Sequence, residues 1–317
     1  MYTQIALLFA LIFTGIGLCK IGVLNKTVNL GINRMTLYFA FPCMITYKIG
    51  TMEMDPSLGH DFLVMTLLSG ASFVLFTVIA FCYYRARGMQ ERITRCAVLS
   101  TIMPNNGFIG YPVALAVYGQ PGLLMMIVHG AIAFNIYVFT YGITYIRKEK
   151  DPERRFTRME FVKLIAHLIT NPVIISIPAG LLIMYLGIPM DNLFGKYLSA
   201  ISEMASPLAM IYVGAAIGER GFLSSFKDRD LWEISFVKLI VMPLIMGLIF
   251  IWMPISPLLK ATLVLGAAFP CATIPVMLGQ QEGLDYSQAG RALLLSTILS
   301  VGTLPLVLKI ISVLIPV

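Results

Sequence analysis

The chain has 317 residues, 58% of them hydrophobic and only 12% charged, with a mean hydropathy of +0.85. A water-soluble domain carries about 25% charged residues, so this chain cannot cover itself with polar groups and its solvent is lipid. Its net charge of +7 lies in short stretches between apolar runs, with no basic face interleaved with aromatics, which excludes nucleic acid as a partner.

The apolar runs are continuous and about 20 residues long, the length that crosses a ~30 Å hydrocarbon core as a helix. They lack the two-residue alternation of a transmembrane barrel. The opening MYTQIALLFALIFTGIG has no basic leader region and no small-residue cleavage site, so it is read as a retained first membrane helix. Ten spans are predicted, over 4–22, 32–50, 62–84, 92–119 (interrupted), 122–146, 161–187, 193–218, 232–253, 258–281 (interrupted) and 288–315. The stretch RKEKDPERRFTRME, residues 147–160, divides them into halves of five, residues 1–146 and 161–317.

Lysine and arginine set the expected orientation. One set of linkers holds Lys20, Lys26, Arg34, Arg85, Arg87, Arg92, Arg95, the central linker, Arg220, Lys227, Arg229 and Arg291. The other offers Lys48, Lys196 and Lys260, with Lys309 near the end. Positive charge accumulates on the cytoplasmic side. Both termini are therefore expected outside and the central linker inside, as in a multi-pass protein of a bacterial inner membrane. An odd number of spans per half turns the second half upside down relative to the first.

The halves also repeat in sequence. Pro42 and Tyr47 in the second span correspond to Pro207 and Tyr212 in the seventh. The fourth span, VLSTIMPNNGFIGYPVALAVYGQPGL, and the ninth, VLGAAFPCATIPVMLGQQEGL, both hold Val-Leu, four residues and a proline, then a Pro-Val-x-Leu, a Gly-Gln and a Gly-Leu. The predicted fold class is thus all-α integral membrane, two inverted five-helix repeats with crossing broken helices 4 and 9. Such a pair of interrupted spans is where inverted-repeat secondary transporters build their site.

Proline removes an amide donor and pushes the preceding residue out of helical angles. In lipid a helix can open only where protein or water meets the freed backbone groups. Pro104, Asn105, Asn106 and Gly107 put a breaker, two amides and a glycine at mid-span, so Asn105 and Asn106 are expected to line a site or to cap the half-helix that follows. Half-helices starting near Phe108 and Pro275 aim their positive ends at the midplane, which favours a carboxylate, with Thr273 as a further orienting group. The opposite half-helix ends present carbonyls and would suit a cation instead.

Among ionisable residues inside spans, Glu203 stands one turn before Pro207 and could carry a proton or face an aqueous vestibule. His129 could titrate near neutrality or be a packed, hydrogen-bonded residue. Lys238 is read as snorkelling from the inner end of the eighth span, and Glu53, Asp55 and Asp61 as solvated charges at an outer end. Cys19, Cys43, Cys82, Cys96 and Cys271 show no CxxC and are read as reduced thiols. No metal site, cofactor or catalytic constellation is expected: there is no HExxH and no phosphate-binding GxxxxGK[ST].

PNNGFIGYPVALAVYG resembles the fourth-span signature of the auxin efflux carrier family, where Pro-Asn precedes a Gly-x-Pro. AAFPCATIPVMLGQQEG resembles that family's ninth-span crossover and STILSVGTLP its tenth span. The resemblance implies a fold like that of sodium/proton antiporters and bile-acid symporters, with a scaffold of spans 1, 2, 6 and 7 that often dimerises and a moving domain of spans 3–5 and 8–10. It implies that Asn105 meets a substrate carboxylate, with Asn106, Gly107, Cys271 and Thr273 around it, while Pro104, Pro112, Pro270 and Pro275 shape the crossing. Cys271 stands where plant members carry a polar residue, and bacterial relatives are associated with malonate and other small carboxylates. The expected function is a secondary carrier of a small organic anion, coupled to protons more readily than to sodium. The alternatives are a channel or receptor using the same cavity, or a sodium-coupled carrier like the bile-acid symporters.

Overall fold

The computed structural model describes residues 2–53, 56–153, 155–219 and 226–315, so that Asp55, Arg154 and Arg220 lie outside the described residues. Among the described residues the named elements are all helical. In order, the helices are α1 (Tyr2–Lys20), α2 (Lys26–Met35), α3 (Phe41–Gly50), α4 (Leu58–Ala86), α5 (Glu91–Ile102), α6 (Tyr111–Ile127), α7 (Phe134–Tyr137) and α8 (Ile143–Arg147). There follow α9 (Arg158–Thr170), α10 (Pro172–Tyr185), α11 (Leu193–Glu219), α12 (Arg229–Phe236), α13 (Met242–Phe250), α14 (Pro257–Ala268), α15 (Ile274–Gln281) and α16 (Ser287–Leu314). Among the described residues π-helical turns join neighbouring pieces at Thr36–Ala40, Asn106–Gly110, Val128–Ala133, Val138–Gly142 and Val237–Val241.

Among the described residues six helical stretches are individually long and apolar enough to cross a membrane, and α9 with α10, bent by 50°, make a seventh if taken as one span. The remaining apolar segments are short because the chain breaks them. α5 and α14 each stop after 12 residues. The long stretch Asn106–Arg147 leaves helical angles at Gly119 (φ 66°, ψ −155°), the last residue of the stretch predicted as the fourth span. A side chain at that positive φ would be strained, whereas glycine adopts it freely.

Local chemistry explains many boundaries. The Asn25 side chain accepts from the Thr27 and Val28 amides at 3.0 Å each and opens α2. Asn171 accepts from Val173 ahead of Pro172 and opens α10. Asp228 does the same for α12. Ser256 accepts from Leu259 and opens α14.

The chain forms two compact units. One comprises Met1–Phe62, Gly107–Ile127 and Ala166–Gly221. Within it α1 lies on α11 at backbone contact: a Cβ on Gly15 would stand 2.3 Å from the Ile211 carbonyl oxygen, and one on Gly214 2.0 Å from that of Ile12. α3 also packs closely on α10, with Gly180 against the Ile49 side chain and the Thr46 carbonyl, and Gly50 against the Ile183 side chain. In lipid no hydrophobic force drives helices together, so small residues that let backbones approach supply the packing. α1 buries Ile5, Leu8 and Ile12 and leaves Leu7 and Phe13 exposed, an apolar outer face suited to lipid.

The second unit comprises Leu63–Asn106, Val128–Ile165 and Phe222–Val317. Several of its charged residues are tied to one another. Arg87 donates to both Glu233 carboxylate oxygens, at 2.8 and 3.0 Å. Arg147 binds Glu160 and, at 2.8 Å, Glu282, and Arg291 pairs with Asp228 at 3.3 Å. The interior holds the ends of α5 and α14, and the candidate site lies there.

Candidate functional site

α5 ends where Pro104 follows, and α14 ends where Pro270 follows. The residue before each proline is extended, Met103 at φ −101°, ψ 96° and Phe269 at φ −69°, ψ 148°, as a following proline dictates. Both stretches thereby expose backbone groups in an apolar interior, where an unsatisfied amide or carbonyl costs several kcal/mol. They satisfy each other. The Asn105 amide donates to the Pro270 carbonyl at 2.9 Å, and the Ala272 amide to the Met103 carbonyl at 2.8 Å. Pro104 and Cys271 face each other as an antiparallel bridge between them. The Cys271 amide donates to the Ser296 hydroxyl on α16 at 3.1 Å.

Helix resumes on the far side of each break. The first restarts with the π-helical turn Asn106–Gly110 and runs into α6, with Pro112 buried at its start. The second restarts at α15, with Thr273 at the cap position and Pro275 in the first turn. The Thr273 side chain makes no cap hydrogen bond, so the first amides of α15 are left to other acceptors.

Asn105 and Asn106 are 7% and 3% exposed. The Asn106 side chain rests on Gly130, with neither its Nδ2 nor its Oδ1 hydrogen-bonded within the protein. A buried amide without partners is costly; a site for a polar solute is one way to meet that cost. Gly107 has open space where a Cβ would be. Pro104, Asn105, Asn106, Pro270, Cys271 and Thr273 all belong to the second unit, and Gly107 and Pro112 to the first.

His129 is buried in the second unit, at 3% exposure. Its Nδ1 lies 2.9 Å from the Ser69 hydroxyl and its ring stacks on Phe73 at 4.9 Å. Glu203 is exposed on α11 in the first unit. Lys238 corrects an expectation: it does not snorkel outwards but is buried, at 1% exposure, inside a π-helical turn. Sequence reasoning also gave no role to Gly130 and Gly266, whose missing side chains leave room for Asn106 and His129. A lone glycine in an apolar run is the signal for such close approach, but it does not say which residue approaches.

Several apolar membrane-length helices, and two proline-broken segments joined through their backbones, define an all-helical polytopic membrane protein. The chain matches the family described as "Membrane transport protein" over residues 1–308 and belongs to it, the auxin efflux carrier family. It is 25% identical over 296 residues to an "Uncharacterized transporter" of Methanothermobacter thermautotrophicus, with 93% of each chain covered. It is 22% identical to a second such protein of Methanocaldococcus jannaschii, covering 88% of each. A protein of Rhizobium meliloti named "Putative malonate transporter" is 23% identical, covering 86% of this chain and 83% of that one.

Proposed function

We propose that this protein is a secondary carrier that moves a small mono- or dicarboxylate across the membrane by alternating access, with the paired breaks as its substrate site. The observation that carries this reading is the main-chain pairing of residues 103–105 with 270–272. That pairing brings the two breaks together within one unit, and Asn105, Asn106 and Thr273 lie at or next to them in sequence. Helix N-termini and amide side chains together suit a carboxylate better than a cation. The name of the rhizobial relative points to the same substrate chemistry.

The same reading has ten spans in two inverted repeats. Pro104 and Pro270, which correspond in the two Val-Leu-x4-Pro motifs, lie on facing strands of the pairing. An antiparallel contact between equivalent segments is what a two-fold relation between inverted halves produces. The unit built from 1–62, 107–127 and 166–221 holds spans 1, 2, 6 and 7, as a scaffold would, but also 107–127, the second half of the fourth span; the other unit holds the rest of the proposed moving domain. In this scheme the scaffold dimerises, the termini lie outside the bacterial inner membrane and the linker lies in the cytoplasm. The break segments carry no carboxylate, which favours protons over sodium as the coupling ion.

The test is counterflow of labelled malonate in proteoliposomes. A carrier shows stimulation by malonate on the trans side; flux without trans stimulation would make the protein a channel. Asn105→Ala should lower that flux by about tenfold or more, because a lost substrate hydrogen bond leaves a charged group unpaired. The variant should still fold, because the crossing is tied by the Asn105 backbone and not by its side chain. Wild-type flux in Asn105→Ala would remove the residue from the site.

A further inference from the structure

Two nitrogen bases lie together in the second unit. Lys238 and His129 line a common cavity, about large enough for one water molecule, whose wall also includes Ser72, Pro104 and Gly266. His129 is oriented from behind: Ser69 engages its Nδ1, Phe73 stacks on its face, and the ring edge carrying Nε2 lies over Gly266. A Cβ on Gly266 would stand 2.7 Å from Nε2, so the absence of a side chain there makes room for the imidazole. Nε2 itself has no hydrogen-bond partner in the protein. Both residues sit in π-helical turns, Val128–Ala133 and Val237–Val241, and such turns turn up often at functional positions.

Among the described residues the surroundings supply no counter-charge, and Lys238 forms no ion pair with a carboxylate. On α12 Glu233 is taken by Arg87, on α16 Arg291 faces Asp228, and on α5 Arg95 binds Glu91 and the Tyr145 carbonyl. On α14 Lys260 reaches the Ile251 carbonyl, and α4 presents only hydroxyls, Ser69 and Ser72. The titratable neighbours of Lys238 are His129 and Cys271. A buried cation without a counter-charge is costly, and two adjacent ones far more so. The pair can therefore hold one proton but not two.

We propose that His129 and Lys238 form a site that binds a single exchangeable proton next to the Pro104 break. This role deepens the carrier reading and rests on it: in that reading the bound proton is the coupling ion, taken up and released as the cavity opens to one side and then the other. Two bases in a shared pocket titrate as a pair, so the proton belongs to the site and not to either residue.

The experiment is nitrogen NMR of the full-length protein in nanodiscs, with 15N-labelled histidine and lysine, between about pH 4 and 10. The imidazole signal is assigned by its loss in His129→Gln and the ammonium signal by its loss in Lys238→Gln. In wild type the two should change together in one step worth one proton. In Lys238→Gln the imidazole should titrate alone, with its midpoint moved by about one pH unit or more. Two independent steps in wild type, or an imidazole midpoint indifferent to Lys238→Gln, would overturn the proposal. So would a common step that moves with Cys271→Ala and not with Lys238→Gln, since the thiol would then hold the proton. Where a glutamine variant fails to fold, His129→Asn or Lys238→Met takes its place in the assignment, and the wild-type titration still decides. Malonate counterflow under a pH gradient then reads the role. Flux with a pH response unchanged in Lys238→Gln removes the coupling role, whereas no malonate flux in wild type counts against the carrier reading and leaves the titration standing.

Discussion

Gly130 lies directly beneath Asn106. A methyl group on Gly130 would stand 2.6 Å from the Asn106 Cβ and 3.1 Å from its Cγ and Nδ2. The helix carrying His129 thus carries, one residue on, the platform for the buried amide at the first break. The amide side chain and the basic cavity are joined through consecutive residues of one π-helical turn.

Gly130→Ala should displace Asn106 and with it the start of the restarting helix. Overpacking a tight interior costs about 1–3 kcal/mol, so the melting temperature should fall and malonate flux should drop by about tenfold or more. Gly142→Ala is the control. Its added methyl would meet the terminal Cε of Met103, at 2.9 Å, a flexible end that can swing aside. Equal flux and stability in the two variants would mean that Asn106 does not need its present seat.

The contact of α1 with α11 should be sensitive at one face and indifferent at the other. Gly15→Leu forces a side chain into the Ile211 backbone, 2.3 Å away, whereas Gly17 has nothing within 4 Å. Gly15→Leu should abolish a monodisperse peak in detergent size-exclusion chromatography. Gly17→Leu should elute and melt as wild type does. Backbone cannot retreat as a side chain can, which is why the first change is the severe one.

Glu203 is exposed on α11, in the unit that does not contain the paired breaks. A coupling proton has to be held in a pocket closed to one side of the membrane at a time. Glu203→Gln should therefore leave the pH response of malonate flux unchanged. Loss of that response in Glu203→Gln, with Lys238→Gln unaffected, would move the coupling step from the basic cavity to α11.

The residues around the breaks are legible in the order of amino acids, because proline has a local and unavoidable effect on its own helix. Pro104 and Pro270 announce an interruption wherever they stand in an apolar run, and the matching Val-Leu-x4-Pro motifs announce that there are two. What the residues cannot announce is the hydrogen bond between the Asn105 amide and the Pro270 carbonyl, since that depends on two segments from opposite halves of the chain meeting in one register. Lys238 shows the opposite case. A lysine near the end of an apolar run reads as snorkelling, and only the packing around Val237–Val241 turns it inwards.

Composition and hydropathy alone settled that this chain lives in lipid and is helical, because a backbone in hydrocarbon must satisfy its own hydrogen bonds and a run of about 20 apolar residues does so as a helix. Tertiary structure alone decided which buried polar groups become neighbours: Asn106 on Gly130, and His129 with Lys238 about one cavity. Sequence periodicity orients a side chain relative to its own helix axis, whereas the partner it meets is set by how several helices pack at backbone distance, and that is a property of the whole unit.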